Sequence, residues 1–77
     1  MQELLTALAK GLVEKPDEVV VTADEPNEEG VIVFHLHVAE GDTGRVIGKE
    51  GRIAKAIRTV MRAGANRNNQ KVAVEID

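Results

Sequence analysis

The sequence predicts an α+β domain in which three helices pack on one face of a three-stranded mixed sheet. The order read along the chain is helix–strand–strand–helix–helix–strand. Three observations predict it. Residues 31–38 and 72–76 alternate in side-chain character with a period of two, as half-buried strands do. Residues 2–14 and 52–63 instead repeat apolar positions at helical spacing. Glycine, proline and short polar runs punctuate the joins. With 77 residues there is room for one hydrophobic core, so residues 1–77 read as a single domain.

Taken in order, Leu4, Leu5, Leu8, Leu12 and Val13 share one stripe of a first helix over residues 2–14. Pro16 is expected to end it, because the residue before a proline is pushed out of the α region. Val19, Val20, Val21, Thr22 and Ala23 form a short β-branched strand. The polar run 24–30 then turns the chain. In residues 31–38, Ile32, Phe34, Leu36 and Val38 face the core, and Val31, Val33, His35 and His37 face away. Asp42 is placed to cap a short helix over 43–47, and a longer helix runs from Arg52 to Ala63 and stops at Gly64. On this second helix Ile53, Ala56, Ile57, Val60 and Gly64 make the apolar arc, with Met61 at its edge. Residues 65–70 connect to a last strand in which Val72, Val74 and Ile76 alternate with Lys71, Ala73 and Glu75. The first two strands should pair antiparallel through their short loop. The third follows a helical crossover and should lie parallel to the second.

Composition narrows the function. Cysteine, serine, tryptophan and tyrosine are absent, and Phe34 is the only aromatic residue. Disulfides, thiolate metal sites, Ser and Cys nucleophiles and aromatic stacking platforms are thereby excluded. No apolar run approaches the roughly 20 residues of a bilayer span. The N-terminal stretch lacks a basic region and carries Glu3, so it does not read as a signal peptide. A cytoplasmic protein without membrane contact is expected. Charge is divided: residues 1–40 carry net −7 and residues 41–77 net +4. Within 44–62, Arg45, Lys49, Arg52, Lys55, Arg58 and Arg62 face Glu50 alone. Such a dipolar chain can present a positive surface to an anion, although Arg and Lys are also ordinary solvated helix residues.

The sharpest local feature is Val46-Ile47-Gly48-Lys49-Glu50-Gly51-Arg52-Ile53. Two glycines interrupt two helices, and without Cβ atoms they let a phosphate and its sugar approach the main chain. The unpaired N–H groups at the start of the following helix favour an anion. Lys49 adds a mobile charge, and Arg52 and Lys55 continue it along the helix. Taken alone, G-x-x-G is also a plain tight turn between helices. Its flanking Val-Ile and Ile53, and its place inside strand–helix–loop–helix–strand, make it specific.

With these residues the chain resembles the type II KH domain, of αββααβ order, in which a GXXG loop clamps about four nucleotides of single strand. The run from Val38 through Gly44-Arg45-Val46-Ile47-Gly48-Lys49 to Thr59 is similar to the KhpA family of small single-KH-domain RNA-binding proteins, and the likeness spans essentially the whole chain. The resemblance implies single-stranded RNA as ligand, read in a narrow apolar groove without aromatic stacking, and no cofactor or metal. By position, Gly48, Lys49, Glu50 and Gly51 would hold the sugar-phosphate backbone. Val46, Ile47 and Ile53 would line or support the groove, and Arg45, Arg52 and Lys55 would flank it. Glu50 would moderate affinity with its carboxylate turned to solvent. The family further implies an RNA chaperone or post-transcriptional regulator connected with cell shape. It would act as a homodimer or as a heterodimer with a second RNA-binding protein of the KhpB (Jag/EloR) type.

Three other readings stand beside this one. Glu50 and the acidic first half suit a protein–protein interaction module that keeps the fold and binds little RNA. An enzyme is disfavoured: Gly44 to Glu50 is one residue short of a Walker A loop and has Glu where that loop needs Ser or Thr. His35 and His37 share one strand face but make only two ligands of a metal site. If that face were buried in a dimer, their protonation should weaken it.

Overall fold

The computed structural model describes all of residues 1–77, and its elements follow the predicted order. Helix α1 (Gln2–Lys10) buries Leu5 and Ala9 completely. It stops four residues before the expected end. Gly11 N–H donates to the Ala7 carbonyl at 3.1 Å and Leu12 N–H to the Ala9 carbonyl at 3.0 Å, tightening the last turn. Beyond Val13, the amides of Glu14 and Lys15 would continue the helix by bonding carbonyls one turn back. They donate to the Asp42 carboxylate instead, at 3.1 and 3.0 Å. A tertiary acceptor thus holds these amides outside the helix ahead of Pro16, and Pro16 opens a single 3-10 turn, Pro16–Glu18. Leu12 and Val13 leave the helix but still pack against the core.

Strands β1 (Val20–Ala23), β2 (Val31–His37) and β3 (Lys71–Ile76) form one sheet with β2 central. β1 and β2 pair antiparallel, with Val21 opposite Leu36, and β2 and β3 pair parallel, with Phe34 opposite Val74. In the β1–β2 turn the Asn27 side-chain oxygen accepts the N–H groups of Glu29 and Val31, at 2.9 and 3.0 Å. On each free edge of the sheet one carbonyl is engaged by a side chain. The Gln2 amide donates to the Val21 carbonyl at 2.6 Å, and Arg58 Nε donates to the Val74 carbonyl at 3.2 Å.

The core lies between the inner sheet face and the helices. It joins Val21, Phe34, Leu36, Val38 and Val74 to Leu5 and Ala9 of α1, to Val46 of α2 (Thr43–Ile47), and to Ile57 and Met61 of α3 (Arg52–Arg67). Ile32 only borders it. The buried stripe of α3 is Ala54, Ile57, Met61 and Ala65, rotated by about a quarter-turn from the expected arc. Val60 is left 43% exposed. The helix also runs through Gly64 rather than ending there. A Cβ at Gly64 would stand 3.1 Å from Met1 Cε and 3.5 Å from Leu4 Cδ2, so this glycine marks where α1 crosses α3. The helix ends in a Schellman turn: Asn69 is left-handed at φ +56, its N–H donates to Asn66, and Gln70 N–H donates to Ala65. No helix is long and apolar enough to cross a membrane.

On the outer sheet face His35 links all three strands. Its Nε2 lies 2.9 Å from an Asp24 oxygen just past β1, and its Nδ1 lies 3.4 Å from Glu75 of β3. The hydrogen bond to Asp24 holds the imidazole above its ordinary 6.5 against the cost of desolvation, and the charges of Asp24, Glu75 and Asp77 add smaller contributions in the same upward direction. A raised pKa makes the imidazolium a stabilising contact. Its contribution is complete below pH 6.5 and fades as pH rises through the raised value. We therefore expect the urea midpoint of the parent to lose more between pH 5.5 and pH 8 than that of His35→Gln. Equal losses in the two proteins would remove this role for His35.

Candidate nucleic-acid interface

The candidate site is the bend between α2 and α3, and its shape follows from four residues. Gly48 has φ +76 and ψ 174, and a Cβ there would meet Ile53 Cγ1 at 2.2 Å and Cβ at 2.8 Å. Ile53 therefore occupies the place of a side chain at 48, and the two helices close tightly around it. Lys49 stands exposed at the tip. Glu50 is left-handed at φ +57, and Gly51 follows at φ +75 with nothing within 4 Å of where its Cβ would be. The open side of the bend is thus at Gly51, and the closed side is at Gly48.

Two hydrogen bonds hold the bend, from Gly51 N–H to the Gly48 carbonyl at 3.2 Å and from Arg52 N–H to the Lys49 carbonyl. The Lys49 and Glu50 N–H groups have no partner inside it. They sit at the start of a 16-residue helix, where the aligned peptide dipoles favour negative charge. Glu50 lies 3.5 Å from Arg52 with both side chains mostly exposed, a weak pair that draws the carboxylate toward the helix.

The remaining predicted residues separate into three groups. Lys49 and Lys55 are exposed with no ion pair, and Arg52 is shared with Glu50. Arg45 is turned the other way: its guanidinium pairs with Glu14 and, at 3.3 Å, with the buried Asp42. Val46 is fully buried and belongs to the core, Ile53 is half-buried, and Ile47 is 37% exposed beside the bend. Asp42 precedes α2 as expected but makes no side-chain cap on it, because its carboxylate serves Glu14 and Lys15.

Arg58 and Arg62, basic residues of the predicted helix but outside the predicted site, form its floor. Arg52, Lys55, Arg58 and Arg62 recur at helical spacing on the side of α3 away from α1. Arg58 and Arg62 line a cleft of about 160 Å³ against Val72, Ala73 and Val74 of β3. The repeat of basic residues was visible, but the placement of β3 beside it was not. On the opposite flank of α3, Ile53, Ala56 and Val60 line an apolar groove of about 400 Å³ shared with Leu8 and Leu12. α3 therefore has a basic flank, a buried stripe and an exposed apolar flank.

The two glycines should respond differently to a methyl group. Gly48→Ala is expected to cost about 3 kcal/mol or more, since it combines overpacking against Ile53 with a left-handed φ. Gly51→Ala meets no neighbour and should cost only about 1 kcal/mol. Urea unfolding of both variants checks the order, and equal losses would contradict it.

The KhpA/KhpB KH-domain family matches residues 2–76. The RNA-binding protein KhpA of Clostridium acetobutylicum is 54% identical over 76 residues, covering 99% of each chain. KhpA of Listeria monocytogenes is 45% identical, covering 99% of this chain and 97% of the relative. Among solved structures the backbone is similar to part of Era, in a crystal structure with MgGDPNP and nucleotides 1506–1542 of 16S ribosomal RNA. That likeness has a TM-score of 0.70 at 22% identity over 97% of this chain and 28% of the other, and it concerns the fold alone. Sequence, topology and the glycine bend agree, and the chain belongs to the KhpA/KhpB KH-domain family.

Proposed function

We propose that the chain binds single-stranded RNA at the Gly48–Gly51 bend, with the basic flank of α3 continuing the path toward the edge of β3. The observation that carries this reading is the open tip: two amides without partners in the bend, an unpaired Lys49, and free space at Gly51. The names of the KhpA relatives support RNA as the ligand and set the chain among binding domains rather than enzymes. The strand would run with a phosphate over Lys49–Gly51 and its bases toward Arg58 and Arg62. Contact with about four nucleotides makes binding modest and sequence-tolerant. A cytoplasmic RNA chaperone or post-transcriptional regulator fits such affinity, provided two sites act together.

The exposed apolar groove between α1 and α3 supports that pairing, as a homodimer or with a KhpB-type partner. Val60 stands on its rim. A second reading, an interaction module with little RNA binding, is favoured by Glu50 at the tip and by the engagement of Arg45 with Glu14 and Asp42.

Titration of a labelled single-stranded RNA with the parent and with a Lys49→Asp, Glu50→Asp double variant tests the proposal. The variant should keep its circular dichroism spectrum and bind at least tenfold more weakly. The parent's affinity should fall with salt by about −0.7 in log–log slope for each phosphate neutralised. A folded variant that binds as well as the parent would falsify the site, and a parent that binds no RNA at low salt would leave the interaction module. For the assembly, sedimentation of Val60→Asp should show a monomer where the parent self-associates. An unchanged association constant would place the contact elsewhere.

A further inference from the structure

We propose that Asp42 is a positioning residue for the bend: through it the segment leaving α1 clamps α2, and with α2 the place of Lys49–Arg52. Asp42 is the one buried charged residue of the chain, 3% exposed. Its Oδ1 accepts the Glu14 N–H at 3.1 Å and its Oδ2 the Lys15 N–H at 3.0 Å. Arg45 Nε lies 3.3 Å from Oδ1, and the same guanidinium reaches the Glu14 side chain. The contacts form a closed ring from Asp42 to Glu14 to Arg45 and back.

The ring matters because α2 cannot fix itself. A helix of five residues has few internal hydrogen bonds, and only Val46 of α2 is buried. The segment that Asp42 grips is itself seated, since Leu12 and Val13 just before it pack against the core. From Asp42 to Gly48 the chain rises about 9 Å along a single short helix. A shift at Asp42 is therefore carried into the bend, with no flexible joint between them. Arg45, in this arrangement, serves the clamp rather than the ligand.

This inference rests on RNA binding at the bend for its functional meaning but not for its structural content, and the experiment separates the two. Asp42→Asn keeps the shape of the side chain and turns one acceptor oxygen into an amide donor facing an N–H. We expect it to fold with a lowered Tm. The Lys49–Arg52 amide signals should move in the NMR spectrum of the RNA-free protein, and a labelled oligouridine should bind at least fivefold more weakly. Asp17→Asn removes an exposed carboxylate beside the clamped segment but outside the ring, and should hold affinity within twofold. A lowered Tm with unmoved bend signals and parental affinity would make Asp42 merely structural and overturn the proposal. Should Asp42→Asn not fold, Arg45→Gln relaxes the same ring more gently. Displaced bend signals in that variant support the clamp, and unmoved ones overturn it. If the signals move while the parent itself binds no oligouridine, the clamp stands and the RNA reading falls.

Discussion

The fit of Ile53 into the space left by Gly48 sets the angle between α2 and α3, and the rest of the site depends on that angle. A residue with any side chain at 48 would push the two helices apart. With them close, the chain must turn within three residues, and Glu50 and Gly51 are forced into left-handed backbone to do so. The unpaired amides at the tip follow from that turn: a shorter connection leaves no room for a capping side chain over Lys49 and Glu50. Local strain at Glu50, of order 1 kcal/mol, is the structural cost of keeping the tip bare.

α3 then distributes three tasks around one helix. Its buried stripe of Ala54, Ile57, Met61 and Ala65 holds it to the core, Arg58 and Arg62 line a cleft with β3, and Ile53, Ala56 and Val60 line a groove with α1. The charged flank and the apolar flank lie on opposite sides of the core stripe and share no residue. The small residues Ala54 and Ala65 let α3 lie close to its neighbours, so both flanks stay near the ends of the same short domain.

Much of this was legible in the residues. Strict alternation placed β2 and β3, and the glycine pair fixed the bend, because each depends on local geometry alone. What failed depended on distant partners. The apolar arc drawn on α3 was centred on every large aliphatic residue it contains. In the structure two of those, Ile53 and Val60, border a groove, while Ala54 and Ala65, too small to draw notice, face the core. Helix α1 ended early where its last turn tightens, and a carboxylate nearly thirty residues away holds the amides of Glu14 and Lys15 outside it. The same pairing removed Arg45 from the set of free cations. Spacing cannot reveal a contact that exists only once the chain has closed.

Finally, each rim of the sheet carries one carbonyl already engaged, by Gln2 at β1 and by Arg58 at β3. A three-stranded sheet in so small a protein is otherwise an open invitation to stack strand upon strand into fibrils. Here an incoming backbone finds one carbonyl on each rim already bonded to a side chain, and on one side that side chain is an arginine of the basic cleft. At β3 the guarding group also lines the basic cleft, so one guanidinium serves both the rim and that surface.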